Sequence, residues 1–154
     1  MDSPYGPLTL VADDGVLCGL YMTDQRHLPP LETFGPRDGS GFGQALEQLA
    51  AYFAGELKEF SLQLRLHGTP FQRAVWEQLL AIPYGETRSY GQLADALGNP
   101  GASRAVGLAN GKNPVSIIVP CHRVVGAGGG LTGYGGGLAR KQRLLDFEGG
   151  AALF

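Results

Sequence analysis

The chain has 154 residues, 44% of them hydrophobic and 17% charged, with a formal net charge of −2. That is enough for one domain, or two small ones packed together, with a core that needs no staples, and too little for a multidomain machine. The composition is globular rather than disordered, no apolar run reaches the length of a spanning helix, and two cysteines with three scattered histidines offer neither a disulfide scaffold nor a CxxC or HxxxH metal site.

The opening MDSPYGPLTL lacks a basic region followed by an apolar stretch, so the expectation is a cytoplasmic protein with no membrane partner. Residues 9–12 and 16–22 flank Asp13-Asp14-Gly15 and predict a β-hairpin, because Asp-Gly supplies the positive φ of a tight turn. Residues 26–41, with Pro29, Pro30 and Pro36, read as a loop. Phe42, Leu46, Leu49 and Phe53 recur at helical spacing, and Leu62, Leu64 and Leu66 alternate as a half-buried strand does. Residues 1–66 thus form a small α+β unit, and a second unit covers 67–154.

Thr69 as N-cap and Pro70 at the first position open a helix through about Ile82. Ser89 caps a short helix over 89–97, Gly98-Asn99-Pro100-Gly101 turns the chain, and a third helix runs from Asn99 and Pro100 to about Asn110. Two helices across a short, Gly-containing turn suggest a helix-turn-helix. The third helix is built largely of small residues, so it can approach another surface closely, with Arg104 protruding as a single cationic finger. The β-branched run 115–119 predicts one short buried strand that delivers Cys121, and a glycine-rich loop over 126–137 precedes a final helix over 138–147.

Charge is distributed unevenly. Residues 1–68 balance to −5 and residues 69–154 to +3, and 88–143 hold seven basic residues to one acidic. A positive field confined to one half suits a phosphate-binding face, because counterion release depends on local charge; a merely solvated basic surface is the plainer reading of charge alone.

Cys18, inside the hairpin, reads as an inert small hydrophobe. Cys121 is followed by His122, and a thiol needs a base or cation nearby to act as a nucleophile at neutral pH. In an extended segment the two side chains point to opposite faces, so a bridging water is the natural connection unless the backbone turns between them. A carboxylate should orient His122, and spacing leaves both Glu148 and Asp146 as candidates.

Val119-Pro120-Cys121-His122-Arg123-Val124-Val125 resembles the PCHRV signature of the O6-alkylguanine-DNA alkyltransferases, also called methylated-DNA–protein-cysteine methyltransferases. Pro83-Tyr84-Gly85-Glu86, Ser89-Tyr90, Arg104-Ala105-Val106-Gly107, Asn113-Pro114-Val115, Gly133-Tyr134 and Glu148-Gly149 follow the family's order across about residues 70–150. Residues 1–66 resemble the family's variable N-terminal domain in size and pattern. The resemblance implies an α+β fold with a small sheet-plus-helix unit followed by a mainly helical one. It also implies a DNA-repair activity: irreversible, single-turnover transfer of an alkyl group from O6 of a flipped-out guanine to Cys121, with O4-alkylthymine as a second candidate substrate. No cofactor is implied.

The same resemblance assigns roles. His122 is the base, acting through water; Glu148 orients it; Asn113 joins the network; Tyr90 donates a proton to the departing guanine and lies against a backbone phosphate. Arg104 fills the vacated base stack from the minor groove, with Ser89, Ala102 and Ser103 alongside it at the DNA. Tyr134, Val124 and Gly136 wall the base pocket. The implied partner is double-stranded DNA containing O6-alkylguanine, bound by a monomer able to cluster along the duplex. Gly135 and Asn110-Gly111-Lys112 depart from patterns seen in other members. The rival readings are a non-catalytic lesion sensor or helix-turn-helix regulator and a cysteine hydrolase using Cys121 and His122.

Overall fold

A computed structural model describes residues 1–23, 25–37, 41–130, 134 and 137–150. Strands β1 (Leu8–Asp13) and β2 (Val16–Met22) pair antiparallel across a turn in which Asp14 and Gly15 take φ of 49° and 77°, the conformation that the Asp-Gly pair predicted. Helix α1 (Gly43–Phe53) follows and buries Ala45, Leu49 and Tyr52. The run 62–66 is not a strand: it contributes one parallel bridge, Leu64 to Leu17, fixed by Arg65 N–H donating to the Leu17 carbonyl at 2.9 Å. A β2 edge that offers one pairing position holds one residue, whatever the alternation of the sequence.

The C-terminal portion is mainly helical: α2 (Pro70–Leu80), α3 (Tyr90–Ala96), α4 (Ser103–Gly111) and α5 (Leu138–Glu148). Both α2 and α3 begin with a reciprocal capping box, Thr69 with Gln72 and Ser89 with Gln92, which satisfies two otherwise orphaned N–H groups at each start. α4 starts later than the sequence suggests. Asn99 O accepts from Ala102 N at 3.0 Å, so residues 99–102 close a turn of their own before the helix begins. α4 packs on both α2 and α3, completing a helix-turn-helix, and Trp76 Nε1 of α2 donates to Ala109 O of α4 at 2.8 Å.

The predicted strand over 115–119 is also corrected. Val115 makes one bridge, to Leu20 of β2, after which the chain coils: Ile117 has φ of 71°, and Val119 N–H returns to Val115 O at 3.0 Å. The cause is Asn113, whose Oδ1 accepts from Val115 N at 3.0 Å while its Nδ2 donates to Val119 O at 2.7 Å, pinning both ends of the run to one side chain. Val115, Ile117, Ile118 and Val119 are buried, so hydrophobic burial drives the segment inward without a ladder.

Two strands of two residues each, β3 (Arg88–Ser89) and β4 (Val124–Val125), pair in parallel and tie the start of α3 to the chain just beyond Cys121. One apolar core runs through both portions, including Leu20 and Tyr52 on one side and Trp76, Val106 and Leu144 on the other.

Gly68 shows how tightly the chain packs where the C-terminal portion begins: a Cβ there would lie 2.5 Å from the Trp76 ring. Gly68→Ala should therefore lower unfolding free energy by about 1–3 kcal/mol, the range for overpacking a filled site. Gly111→Ala, where a Cβ would meet nothing within 4 Å, should not. Equal urea midpoints for the two variants would contradict this packing.

Candidate active site

The coiled run 115–119 ends in a 3-10 turn, Cys121–Arg123, so the backbone does turn at the cysteine. Cys121 N–H donates to Val119 O at 2.8 Å, and the Cys121 carbonyl accepts from Asn110 Nδ2 of α4 at 3.3 Å. The nucleophile candidate is therefore held by backbone bonds on both sides and is 4% exposed.

His122 is fully buried, and its Nε2 lies 2.8 Å from Glu148 Oε2 at the end of α5. Arg123 grips the same carboxylate with two parallel bonds, Nε to Oε1 at 2.8 Å and Nη2 to Oε2 at 3.0 Å, while its Nη1 donates to Ile82 O at 2.8 Å. Tyr52 of α1 donates its hydroxyl to Oε2 at 2.6 Å. The choice that spacing left open is thus resolved: Glu148 faces inward, and Asp146 instead accepts from Gln142 at 2.6 Å on the exposed side of α5.

Burial alone would raise the Glu148 carboxyl, but the hydrogen bonds donated by His122 and Arg123, with the Arg123 charge, outweigh it and hold it down to about 2. Glu148 is a carboxylate at working pH. Burial lowers His122 in spite of that carboxylate, so the imidazole rests neutral. With Nε2–H committed to Glu148, Nδ1 carries the lone pair, and it has no protein partner among the described residues. The neutral ring thus presents a base on the side away from the carboxylate.

Burial pushes the Cys121 thiol up to about 11, opposed by the Asn113 side chain, by the Lys141 charge and by the backbone N–H groups of Cys121 and His122. The resting group is a thiol, so attack on carbon requires a proton acceptor in the same step. Lys141 of α5 is fully buried and donates through Nζ to Val124 O, and burial lowers its ammonium to about 8. It stands 6.0 Å over the Tyr90 ring, so one cation links the β4 backbone, the Tyr90 face and the electrostatics of Cys121.

The sequence pattern of the 6-O-methylguanine DNA methyltransferase DNA-binding domain matches residues 70–150, and that of the same methyltransferase's ribonuclease-like domain matches residues 1–66. The chain belongs to the 6-O-methylguanine DNA methyltransferase family. It is 60% identical over 148 residues to the methylated-DNA–protein-cysteine methyltransferase of Mycobacterium bovis, covering 96% of this chain and 89% of that protein. The relative from Methanosarcina acetivorans is 50% identical over 149 residues, covering 96% and 95%. Among solved structures, Mycobacterium tuberculosis OGT in complex with DNA matches with a TM-score of 0.91 and 59% identity, over 96% of this chain and 90% of that one. The Methanococcus jannaschii O6-methylguanine DNA methyltransferase matches with a TM-score of 0.66 and 27% identity, over 96% and 90%.

The residues that the family resemblance singled out fall into two groups. Cys121, His122, Glu148 and Asn113 are all buried, Asn113 acting on Cys121 and His122 pairing with Glu148, with Val124 fully buried and Tyr134 7% exposed. The Tyr134 hydroxyl has no partner among the described residues, and Gly136 lies outside them. Tyr90, Ser89 and Ser103 are half-buried near the α3 and α4 starts, Ala102 is nearly covered at 9%, and Arg104 is exposed. Leu108, one turn after Arg104, is 68% exposed on the same face. Tyr52, Lys141 and the Arg123 clamp escaped the sequence reading, because nothing in the spacing tells a packed tyrosine or a buried lysine from ordinary helix residues. No helix of the described residues is long and apolar enough to cross a membrane.

A carboxylate held at about 2 contributes stability that is complete above its unfolded value of 4.5 and is lost as pH falls through that window. Glu148→Gln should lower stability at neutral pH by about 3 kcal/mol and flatten the acid decline. Urea unfolding between neutral pH and about pH 3 checks both. An unchanged acid decline would place the pH dependence elsewhere.

Proposed function

We propose that the chain repairs O6-alkylguanine in duplex DNA by moving the alkyl group onto Sγ of Cys121. The observation that carries this reading is a buried thiol one residue from a neutral histidine whose far nitrogen is held by a carboxylate, in a family of methylated-DNA–protein-cysteine methyltransferases.

Sγ attacks the alkyl carbon in line with the O6–carbon bond; the carbon–sulfur bond forms as the carbon–oxygen bond breaks. The thiol proton passes through a water to His122 Nδ1, where Glu148 stabilises the imidazolium. Tyr90 protonates the departing guanine and is reprotonated, through solvent, by the proton that the His122 imidazolium gives up, so that overall thiol and alkylguanine become thioether and guanine. Asn113 supports the thiolate while also fixing the 115–119 coil. The thioether has no built-in route back to thiol, which makes each molecule single-use.

A buried sulfur cannot reach a base inside the stack, so the nucleotide is extruded into the pocket walled by Tyr134 and Val124. The extrusion costs a few kcal/mol, offset by Arg104 in the vacated stack and by phosphate contacts. α4 suits the minor groove: its outer face carries Arg104, Ala105 and Leu108, with Lys112 just beyond the helix end. Ser89, Ala102 and Ser103 flank it. In this reading the protein acts as a cytoplasmic monomer that clusters along duplex DNA, without a cofactor, and divides into units at 1–66 and 67–154.

Incubation with an oligonucleotide bearing O6-methylguanine, followed by peptide mass spectrometry, should find one methyl per protein molecule on the Cys121 peptide. Repeated turnover with an unmodified protein would instead favour a hydrolase. Cys121→Ser should abolish transfer and keep DNA affinity within about twofold, since the change removes no surface charge. Arg104→Ala should slow repair of duplex DNA on the order of tenfold, a barrier rise of about 1.4 kcal/mol, and leave reaction with a free O6-alkylguanine base nearly unchanged. Equal losses on both substrates would remove the finger from the mechanism.

A further inference from the structure

We propose that Tyr52, supplied by helix α1 of the N-terminal portion, is a positioning residue for the reaction: its hydroxyl occupies Oε2 of Glu148 and so tunes how strongly that carboxylate draws His122. The proposal rests on the reading of His122 as the base.

The geometry is specific. Oε2 is shared by three donors from two places in the chain: Tyr52 OH at 2.6 Å from α1, and His122 Nε2 at 2.8 Å with Arg123 Nη2 at 3.0 Å from the cysteine turn. Tyr52 lies 96 residues from Glu148 in sequence and is fully buried. Its ring is fixed by Phe60 at 5.4 Å, Phe53 at 5.5 Å, Phe147 at 5.7 Å and Tyr84 at 6.2 Å between centroids. A phenylalanine would satisfy that aromatic nest equally well. The hydroxyl is therefore the part of Tyr52 that packing does not require, and its acceptor is the orienting carboxylate.

A donor on Oε2 disperses the negative charge that would otherwise stabilise an imidazolium at Nε2. Removing it concentrates that charge and raises the proton affinity of His122. The other charged or titratable groups around the pair are Arg123, Lys141 and Cys121 near His122, and Tyr5, Tyr84, Tyr134 and Arg123 near Glu148. A Tyr52 substitution changes none of them. Burial, with the Glu148 charge and hydrogen bond behind it, pushes the Tyr52 phenol far above its ordinary range, so it stays a donor at every working pH.

The test uses the full chain carrying Tyr52→Phe. The pH dependence of the single-turnover methyl-transfer rate should move its acidic limb upward by about half a pH unit, equivalent to about threefold in rate on that limb. The imidazole ¹⁵N titration of His122, recorded without DNA, should move in the same direction. Site-specific replacement of Tyr52 by difluorotyrosine keeps ring and hydroxyl, strengthens the donor and should move the titration downward, which covers the case in which the phenylalanine variant fails to fold. A His122 titration that is the same in every folded variant overturns the proposal and reduces Tyr52 to packing. Because that titration needs no substrate, it is separate from the repair reading, which fails on its own if the unsubstituted protein takes no methyl on Cys121.

Discussion

One carboxylate organises the reactive end of this molecule. Glu148 accepts from a histidine, from two N–H groups along one edge of an arginine and from a tyrosine, and the donors come from α1, from the turn that carries the cysteine and from nowhere else among the described residues. A buried carboxylate is costly unless it is this well satisfied. Satisfied, it fixes the histidine tautomer, anchors the last helix, and joins the two portions of the chain through a polar contact as well as through the shared core.

The second constraint is closeness. The two-residue ladder between β3 and β4 sets the start of α3 beside the segment after Cys121, and Lys141 reinforces the junction by donating to Val124 O while facing Tyr90. The helix-turn-helix and the nucleophile are thereby held by the same few backbone bonds. Asn110 extends the coupling from the other side, reaching from α4 to the carbonyl of Cys121 itself. The α3–α4 pair and the buried Cys121 sulfur are in this way joined through the same contacts.

Much of this was visible in the sequence wherever a local rule acts alone. The N-caps Thr69 and Ser89 and the Asp14-Gly15 turn are short-range and legible, whereas the reciprocal Gln72 and Gln92 bonds come from the structure. The strand expected over 115–119 failed because β-branched residues favour burial as much as extension, and a side chain outside the run, that of Asn113, decides its path. Asp146 and Glu148 are two positions apart on a helix and face different ways, so only the packing of α5 separates them. Tyr52 sat unnoticed in an apolar stripe, and Lys141 passed for surface charge, because a hydroxyl or an ammonium inside a core is defined by partners far away in the chain.

The span of the Glu148 network, from α1 to the final turn of α5, bears on the order of folding. Contacts of such long sequence separation close late and slowly compared with helices. Helix α1, the α3–α4 pair and the cysteine turn rest on nearer contacts, whereas the Glu148 carboxylate joins Tyr52 and His122 only when α5 packs against them. Until α5 docks, a partly folded copy holds its helix pair and its cysteine turn with no carboxylate beside His122, so the polar centre of the fold is completed by its longest-range contact.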